Sequence, residues 1–329
     1  MSPRSRRGGP SGVSGSRGSP RRPAERSSGH GSPAPVPPRS SSARTGGRTQ
    51  PAAGRGLGGE QVEGRQAVRE LLRAGRRAVR RVLVATGQDE SSVLDEIESL
   101  AARRRVRVEH VPARRLADLA RTEVPQGVLA QAAAVPEVAL EDLCRPSDGS
   151  VPFLVVLDGV TDPHNLGAVL RTAECAGVTG VLLPRHRAVH LTPAVTKAAA
   201  GAVEHVPLAL VPGVPGALRQ LAGLGVWTVG LDARAARTVY QSALGEEPVA
   251  LVVGGEGDGL SPLARKRCDE LVAVPLHGSL RALNLSAAAA VACFEVAHRR
   301  SQVGRSGGSA PGGSTARPRR AEDVQGEVR

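Results

Sequence analysis

Five apolar runs between residues 150 and 280 leave this chain very few architectures. FLVVL (Phe153–Leu157), GVLLP (Gly180–Pro184), VWTVGL (Val226–Leu231), VALVVG (Val249–Gly254) and ELVAVPL (Glu270–Leu276) are continuous and show no period-two alternation. A strand with one wet face alternates; a strand covered on both faces does not. Strand and helix signals alternate as far as about Arg300, so residues 151–300 are expected to form an α/β domain, a parallel sheet with helices on both faces. Ligands of such sheets lie beyond the carboxyl ends of the strands. The loops that follow the runs are therefore the first places to look for chemistry.

A smaller α/β block is expected at residues 59–135. EGRQAVRELLRAG (Glu63–Gly75) puts Val68, Leu71 and Leu72 on one helical stripe, with Gly75 as its stop. A β-like run follows at Arg80–Thr86. Next comes a helix carrying Val93, Ile97 and Leu100 and capped by Asp89 or Ser91, and then a strand at Val106–Val111. A short helix near Arg114–Arg121 and a strand at Gly127–Val135 complete an αβαβαβ unit. Arg73, Arg76, Arg77, Arg80, Arg81, Arg103, Arg104, Arg105 and Arg107 crowd its rims, as a solvated helix face or as a surface for RNA. Residues 136–150 read as a linker.

The net charge is +13 over 329 residues, and its location matters more than its size. Residues 1–56 hold 11 arginines against one acid, Glu25, and are rich in Gly, Pro and Ser with no aromatic residue. They are expected to be a disordered basic tail, either a solubilising segment or a salt-sensitive tether to RNA. Residues 301–329, with SGGSAPGGST, read as a second disordered tail. The folded middle is then nearly neutral, so nucleic-acid binding there requires a local patch. The four cysteines, Cys144, Cys175, Cys268 and Cys293, form no CxxC pair, and His186 and His190 lack Cys or carboxylate partners at ligand spacing, so no metal is expected. With no apolar leader and no apolar run of membrane length, a soluble, cytoplasmic protein is expected.

Three loops carry the functional signal. DGVTDPHNLGAVLRTAECAGV (Asp158–Val178) offers Asn165 as an N-cap, Gly167 as a point of close backbone approach, and Arg171 one turn further on the Gly167 face. GGEGDGLS (Gly254–Ser261) follows an apolar run, and its glycines let main chain wrap a ligand; it fits neither GxGxxG nor a P-loop. VPLHGSLRALNLSAAAAVACFEV (Val274–Val296) is a strand end, a loop and a helix of small residues beginning at Asn284 or Ser286. Each alone is an ordinary βα turn, and an arginine near a helix start is usually a surface ion-pair partner.

In order and spacing the three together resemble the SpoU/TrmH family of RNA ribose 2′-O-methyltransferases. Asn165, Gly167 and Arg171 match its N-x-G-x-x-x-R motif, and Gly254, Glu256, Gly257 and Gly259 match G-x-E-G-x-G. Pro275, Leu283 and Asn284 match the third motif, in which Ala282 stands at the position of the family's serine. The phrases LDGVTDPHNLGA, VYQS (Val239–Ser242), CDELVAVPL and CFEV are similar to the branch that methylates a guanosine in the peptidyl-transferase region of 23S rRNA. A tRNA target uses the same motifs.

The resemblance, which covers about residues 59–300, implies a C-terminal trefoil knot, a homodimer with active sites near the interface, and S-adenosylmethionine as methyl donor. It implies that the small N-terminal block binds substrate RNA. It also implies a catalytic set of Asn165, Arg171, Glu256 and Asn284. Arg171 would hold the phosphate and 2′-oxygen of the substrate, Asn165 would orient the ribose or Arg171, Glu256 would fix Arg171 or the glycine loop, and Asn284 would shape the third loop. Backbone around Leu231, Gly254, Gly257, Val274, Leu276 and Leu283 would hold the donor. Loss of one hydrogen bond at Ala282 costs about 0.5–1.5 kcal/mol, at most about tenfold in rate, unless Ser279 or Ser286 supplies the hydroxyl. The other reading that the sequence leaves open is a non-catalytic RNA-binding or ribosome-assembly protein of the same fold.

Overall fold

The computed structural model describes residues 56–306 other than 90, 187–189 and 246. The segments expected to be disordered lie almost wholly outside the described residues. The first part of the chain forms β1 (Gln61–Glu63), α1 (Arg65–Ala74), β2 (Val79–Ala85), α2 (Ser92–Arg103), β3 (Arg107–Val111), α3 (Ala113–Leu119) and β4 (Val128–Ala132). The expected helical stripe is there: Val68, Leu71 and Leu72 are buried, and α1 stops at Gly75 in the left-handed region (φ +60°). Ser91 occupies the N-cap of α2 but makes no side-chain capping bond.

The sheet has four strands in the order β1-β4-β2-β3, with only β2 and β3 parallel. The sequence pattern missed β1, which at three residues is too short to show a period. Its buried Glu63 accepts hydrogen bonds from the backbone N–H of Arg121 (2.7 Å) and Thr122 (3.0 Å) and from Thr122 Oγ1 (2.5 Å), anchoring the loop after α3.

The second part comprises α4 (Leu140–Leu143), β5 (Phe153–Asp158), α5 (Pro163–Cys175), β6 (Gly180–Pro184), α6 (Pro193–Ala198) and a 3₁₀ turn at Ala202–Glu204. It continues through β7 (Leu208–Val211), α7 (Val214–Gly223), β8 (Trp227–Leu231), β9 (Arg237–Thr238), β10 (Val249–Gly254), α8 (Pro262–Arg267), β11 (Glu270–Ala273) and α9 (Leu285–Ser306). Seven strands in the order β7-β6-β5-β10-β8-β11-β9 make one sheet in which every neighbouring pair is parallel, as the unbroken apolar runs required. One face packs on α5, α6 and α9 through residues such as Leu166, Val195 and Ala289; the other packs on α4, α7 and α8 through Leu143, Leu218 and Ala264. No described helix is long and apolar enough to cross a membrane.

Two expectations about connections are corrected. Residues 136–150 are not a bare linker: Glu137 bridges to Leu208, and Leu140 and Leu143 of α4 are buried in the second core. Leu143 fills the space over Gly180, where a Cβ would lie 2.7 Å from its Cδ2. The chain also stays helical past 300, because Arg300 donates to the carbonyls of Val151 (2.6 Å) and Pro152 (2.9 Å) and lies 5.1 Å from the Phe153 ring centroid.

The arginine rim is largely consumed by the fold. Arg77 is buried, bonded through Nη2 to Glu204 Oε1 (2.5 Å) and through Nη1 to the carbonyls of Gly59 (2.7 Å) and Ala133 (2.5 Å). Arg73 pairs with Glu70 and Glu96, Arg81 and Arg107 pair with Glu109, and Arg76 and Arg104 donate to backbone carbonyls. Of the nine rim arginines, Arg80, Arg103 and Arg105 remain exposed without such a partner among the described residues.

Candidate active site

β10 lies between β5 and β8, so the loops leaving β5, β8, β10 and β11 converge at one end of the sheet, where successive connections run in opposite directions. The β5 and β10 loops are tied directly: the Ser261 backbone N–H donates to Asp158 Oδ2 at 2.7 Å. α5 is capped by Asp162, whose Oδ2 accepts from the Asn165 backbone N–H (2.8 Å), with Pro163 at the first helical position. This corrects the expectation that Asn165 is the cap. A carboxylate followed by proline starts a helix better than Pro-His-Asn does, and the shift places Asn165 in the first turn with its side chain free to leave the helix.

That side chain meets the other two motifs. Asn165 Nδ2 donates to Glu256 Oε1 (2.9 Å), and Asn284 Nδ2 donates to both Glu256 Oε1 (3.1 Å) and Asn165 Oδ1 (3.0 Å). Asn284 in turn opens α9, its Oδ1 accepting from the backbone N–H (2.9 Å) and the hydroxyl (2.6 Å) of Ser286. Bonds to an ionised acceptor are about twice as strong as neutral ones, so Glu256 is the hub that holds three separate loops in register. Its second oxygen, Oε2, has no hydrogen-bond partner among the described residues.

The glycines between β10 and α8 have distinct reasons. A Cβ on Gly254 would lie 2.1 Å from the Gly259 carbonyl carbon, and one on Gly255 would lie 2.5 Å from the Gly159 carbonyl oxygen, so both are fixed by backbone contact. Gly257 and Gly259 instead take positive φ (+82° and +67°) and have open space where a Cβ would stand. The loop wraps a cleft of about 750 Å³, within the usual range of small-molecule sites. Leu231, Gly254, Gly257, Val274, Leu276 and Leu283, the residues singled out for the donor, all line it, and so does Ala282. Ser286 donates its hydroxyl proton to Asn284 and is not among the residues that line the cleft.

Comparison with known proteins decides the family. Residues 152–294 match the SpoU rRNA methylase family model, and residues 61–138 match the model for the RNA 2′-O ribose methyltransferase substrate-binding domain. The 23S rRNA (guanosine-2′-O-)-methyltransferase RlmB of Pseudomonas aeruginosa is 40% identical over 247 residues, 74% of this chain and 98% of its own. RlmB of Haemophilus influenzae is 39% identical over 246 residues, 73% of this chain and 98% of its own. The chain belongs to the SpoU methylase family. Among solved structures, the SpoU methyltransferase AviRb from Streptomyces viridochromogenes, in complex with the cofactor AdoMet, matches with a TM-score of 0.60 and 27% identity. The match covers 73% of this chain and 90% of AviRb.

Within this SpoU chain, three of the four motif side chains come together and the fourth does not. Arg171 lines a separate cavity between α1 and α5, so of the two alternatives read for Glu256, fixing Arg171 or fixing the glycine loop, the first is not met; six helical residues, about 9 Å along the axis, separate Arg171 from Asn165. Gly167 does what its spacing suggested: a Cβ there would lie 2.5 Å from Ala198 Cβ and 2.9 Å from the Val195 carbonyl oxygen, so α5 and α6 are in near-backbone contact.

Asp232, which lines the cleft just after β8, was missed. Burial raises its carboxyl, but bonds from the Arg234 backbone and side chain and the charge of Arg265 (Nε at 2.6 Å) outweigh that and hold it below the usual value. Its only sequence signal was its place directly after a strand. No described cluster of three or more His, Cys, Asp or Glu residues suits a metal ion.

Proposed function

We propose that the chain transfers the methyl group of S-adenosylmethionine to a ribose 2′-hydroxyl of RNA, its target a guanosine in the peptidyl-transferase region of 23S rRNA. The observation that carries this reading is the Asn165–Glu256–Asn284 lock at the glycine-walled cleft, in a chain that spans nearly the full length of RlmB relatives. The cleft suits the donor. Open space over Gly257 and Gly259, apolar walls from Leu231, Val274 and Leu283, and backbone polar groups would hold the nucleoside and methionine parts of the donor. When bound, S-adenosylmethionine supplies a methyl carbon already activated by its sulfonium, so the transfer calls for no metal.

The chain's own task is alignment. The 2′-oxygen must approach the methyl carbon in line with the breaking C–S bond and give up its proton as the new O–C bond forms. A guanidinium offers N–H donors and no acceptor, so Arg171 acts by holding the 2′-oxygen and the adjoining phosphate and by stabilising the negative charge that develops on the oxygen. The proton passes to that phosphate or to water. The guanidinium reaches from α5 toward the ribose, and on the cleft side Glu256 Oε2 is available to accept from a sugar hydroxyl.

The active unit in this reading is a cytoplasmic homodimer with the knotted path of its family. Leu280 (81% exposed) and Leu283 (42%) in the loop before α9 and Phe294 (50%) on α9 are exposed apolar side chains that a second copy would cover. Light scattering is expected to give twice 33.9 kDa.

The decisive experiment offers purified protein labelled S-adenosylmethionine and 23S rRNA from cells lacking the gene, then maps 2′-O-methyl positions in rRNA and tRNA. One methylated guanosine of 23S rRNA is expected; binding without methyl transfer would make the chain an RNA-binding protein only, and a tRNA product would correct the target. In the same assay, Ala282→Ser is expected to raise the rate by no more than about tenfold, the yield of one neutral hydrogen bond. A hundredfold rise would mean that the natural alanine has nearly silenced the site.

A further inference from the structure

The cavity that holds Arg171 is a built site with a chemistry of its own. It encloses about 470 Å³ between α1, which contributes Gln66 and Arg69, and α5, which contributes Arg171 and Glu174, with Ala199, Ala200 and Ala202 among its lining residues. The alanine turn is held firmly against α1. A Cβ on Gly201 (φ +87°) would lie 2.5 Å from Glu70 Cβ, His205 Nε2 lies 3.1 Å from Glu70 Oε2, and Arg76 donates to the carbonyls of Glu204 and His205. The walls are thus in place before any ligand arrives.

The charges within it are not equivalent. Glu70 is matched by Arg69 (3.1 Å), Arg73 (3.2 Å) and His205. Glu174 is exposed and pairs with no cation among the described residues; its side-chain neighbour is the thiol of Cys175, a weak donor that also lines the cavity. Gln66 is exposed with its amide unbonded among them. The cavity therefore offers a carboxylate without a cation from one helix, the Gln66 amide and the N–H groups of Arg69 that its pairing through Nε with Glu70 leaves over from the other, and apolar methyl groups.

Of the four RNA bases, only guanine presents two adjacent donors, N1–H and N2–H, that match the two oxygens of a carboxylate. Its adjoining edge, O6 and N7, accepts from amide or guanidinium groups. Adenine, cytosine and uracil each turn a lone pair toward a carboxylate placed there. Arg171 and Glu174 are three residues apart on one helix face, about 4.5 Å along the axis, the scale of the step from a ribose to the far edge of its base. We infer that this cavity receives the base of the target nucleotide and that Glu174 selects guanine, with Gln66 and Arg69 facing O6 and N7 and the ribose left at Arg171. The inference rests on the methyltransferase reading and adds to it the residue that makes the enzyme specific for guanosine.

The test compares methyl transfer to two ligated RNA fragments that differ only at the mapped target, guanosine in one and inosine, which lacks the N2 amino group, in the other. Wild type is expected to lose about 10- to 100-fold in kcat/KM on inosine, the effect of removing a hydrogen bond to a charged group. Glu174→Gln, which keeps the shape, is expected to lose a similar factor on guanosine and to discriminate less than about threefold between the two. Its affinity for S-adenosylmethionine and its thermal midpoint should stay at wild-type values, since Glu174 touches neither the cleft nor the core. A Glu174→Gln protein that discriminates as wild type does, or a wild type indifferent to inosine, overturns the inference while leaving the methyltransferase reading intact. A wild type that methylates neither fragment overturns both.

Discussion

Replacing Glu204 with alanine is expected to lower the unfolding free energy by about 3–5 kcal/mol, the usual cost of stranding one member of a buried ion pair. For a folded region of this size that corresponds to a fall of about 6–20 °C in thermal midpoint. The side chains of Arg77 and Glu204 are 3% and 2% exposed, so the guanidinium left behind in Glu204→Ala has no route to water. Its bonds to the carbonyls of Gly59 and Ala133 persist but do not neutralise it.

The effect reaches beyond one contact. Arg77 lies between α1 and β2, Gly59 before β1, Ala133 after β4, and Glu204 in the turn after α6, so a single side chain ties the end of the small sheet where β1 and β2 begin and β4 finishes to the larger domain. The double variant Arg77→Met, Glu204→Leu removes both charges and fills the space, and should recover most of the loss. Differential scanning calorimetry and urea unfolding of all three proteins read this out. A Glu204→Ala loss below about 1 kcal/mol would mean that the pair is open to solvent and does not hold the small sheet.

Much of this architecture could be read from the sequence because burial on both faces leaves a plain mark. β6 and β10 have the bounds of their apolar runs, and the α1 stripe buries the residues its spacing named. β7 escaped because prolines at 207 and 212 frame only four residues, and β9 because two residues carry no pattern. The site was legible as three motifs but not as a set of contacts. Nothing local in Asn165, Glu256 or Asn284 says that they bond to one another across 91 and 119 positions; parallel pairing of β5 with β10 brings the first two together, and the chain leaving β11 at the same end of the sheet brings in the third. Long-range pairs of this kind mislead in the other direction too. Arg77 looks like part of a basic surface until the fold supplies Glu204, and Gly255 looks like slack in a loop until the Gly159 carbonyl arrives beside it.

The separation of Arg171 from the cleft gives the sharpest functional expectation. Arg171→Ala should lower kcat by about 10²–10³, the range seen when one preorganised donor to a developing oxyanion is removed. The dissociation constant for S-adenosylmethionine should change less than twofold, because Arg171 lines the α1–α5 cavity and is absent from the walls of the donor cleft. Arg171→Lys should recover little. A lysine restores the charge but not the planar fork needed to hold a phosphate and a sugar oxygen together. Asn165→Ala should behave differently, since losing it releases Glu256 and Asn284 and loosens the loops around the donor; there kcat and donor affinity are expected to fall together. Equilibrium binding of labelled donor beside single-turnover methyl transfer distinguishes the two patterns. If Arg171→Ala weakens donor binding as much as it slows transfer, the arginine serves the donor, and the alignment of the 2′-oxygen must be assigned to other groups, with Glu256 Oε2 the first to examine.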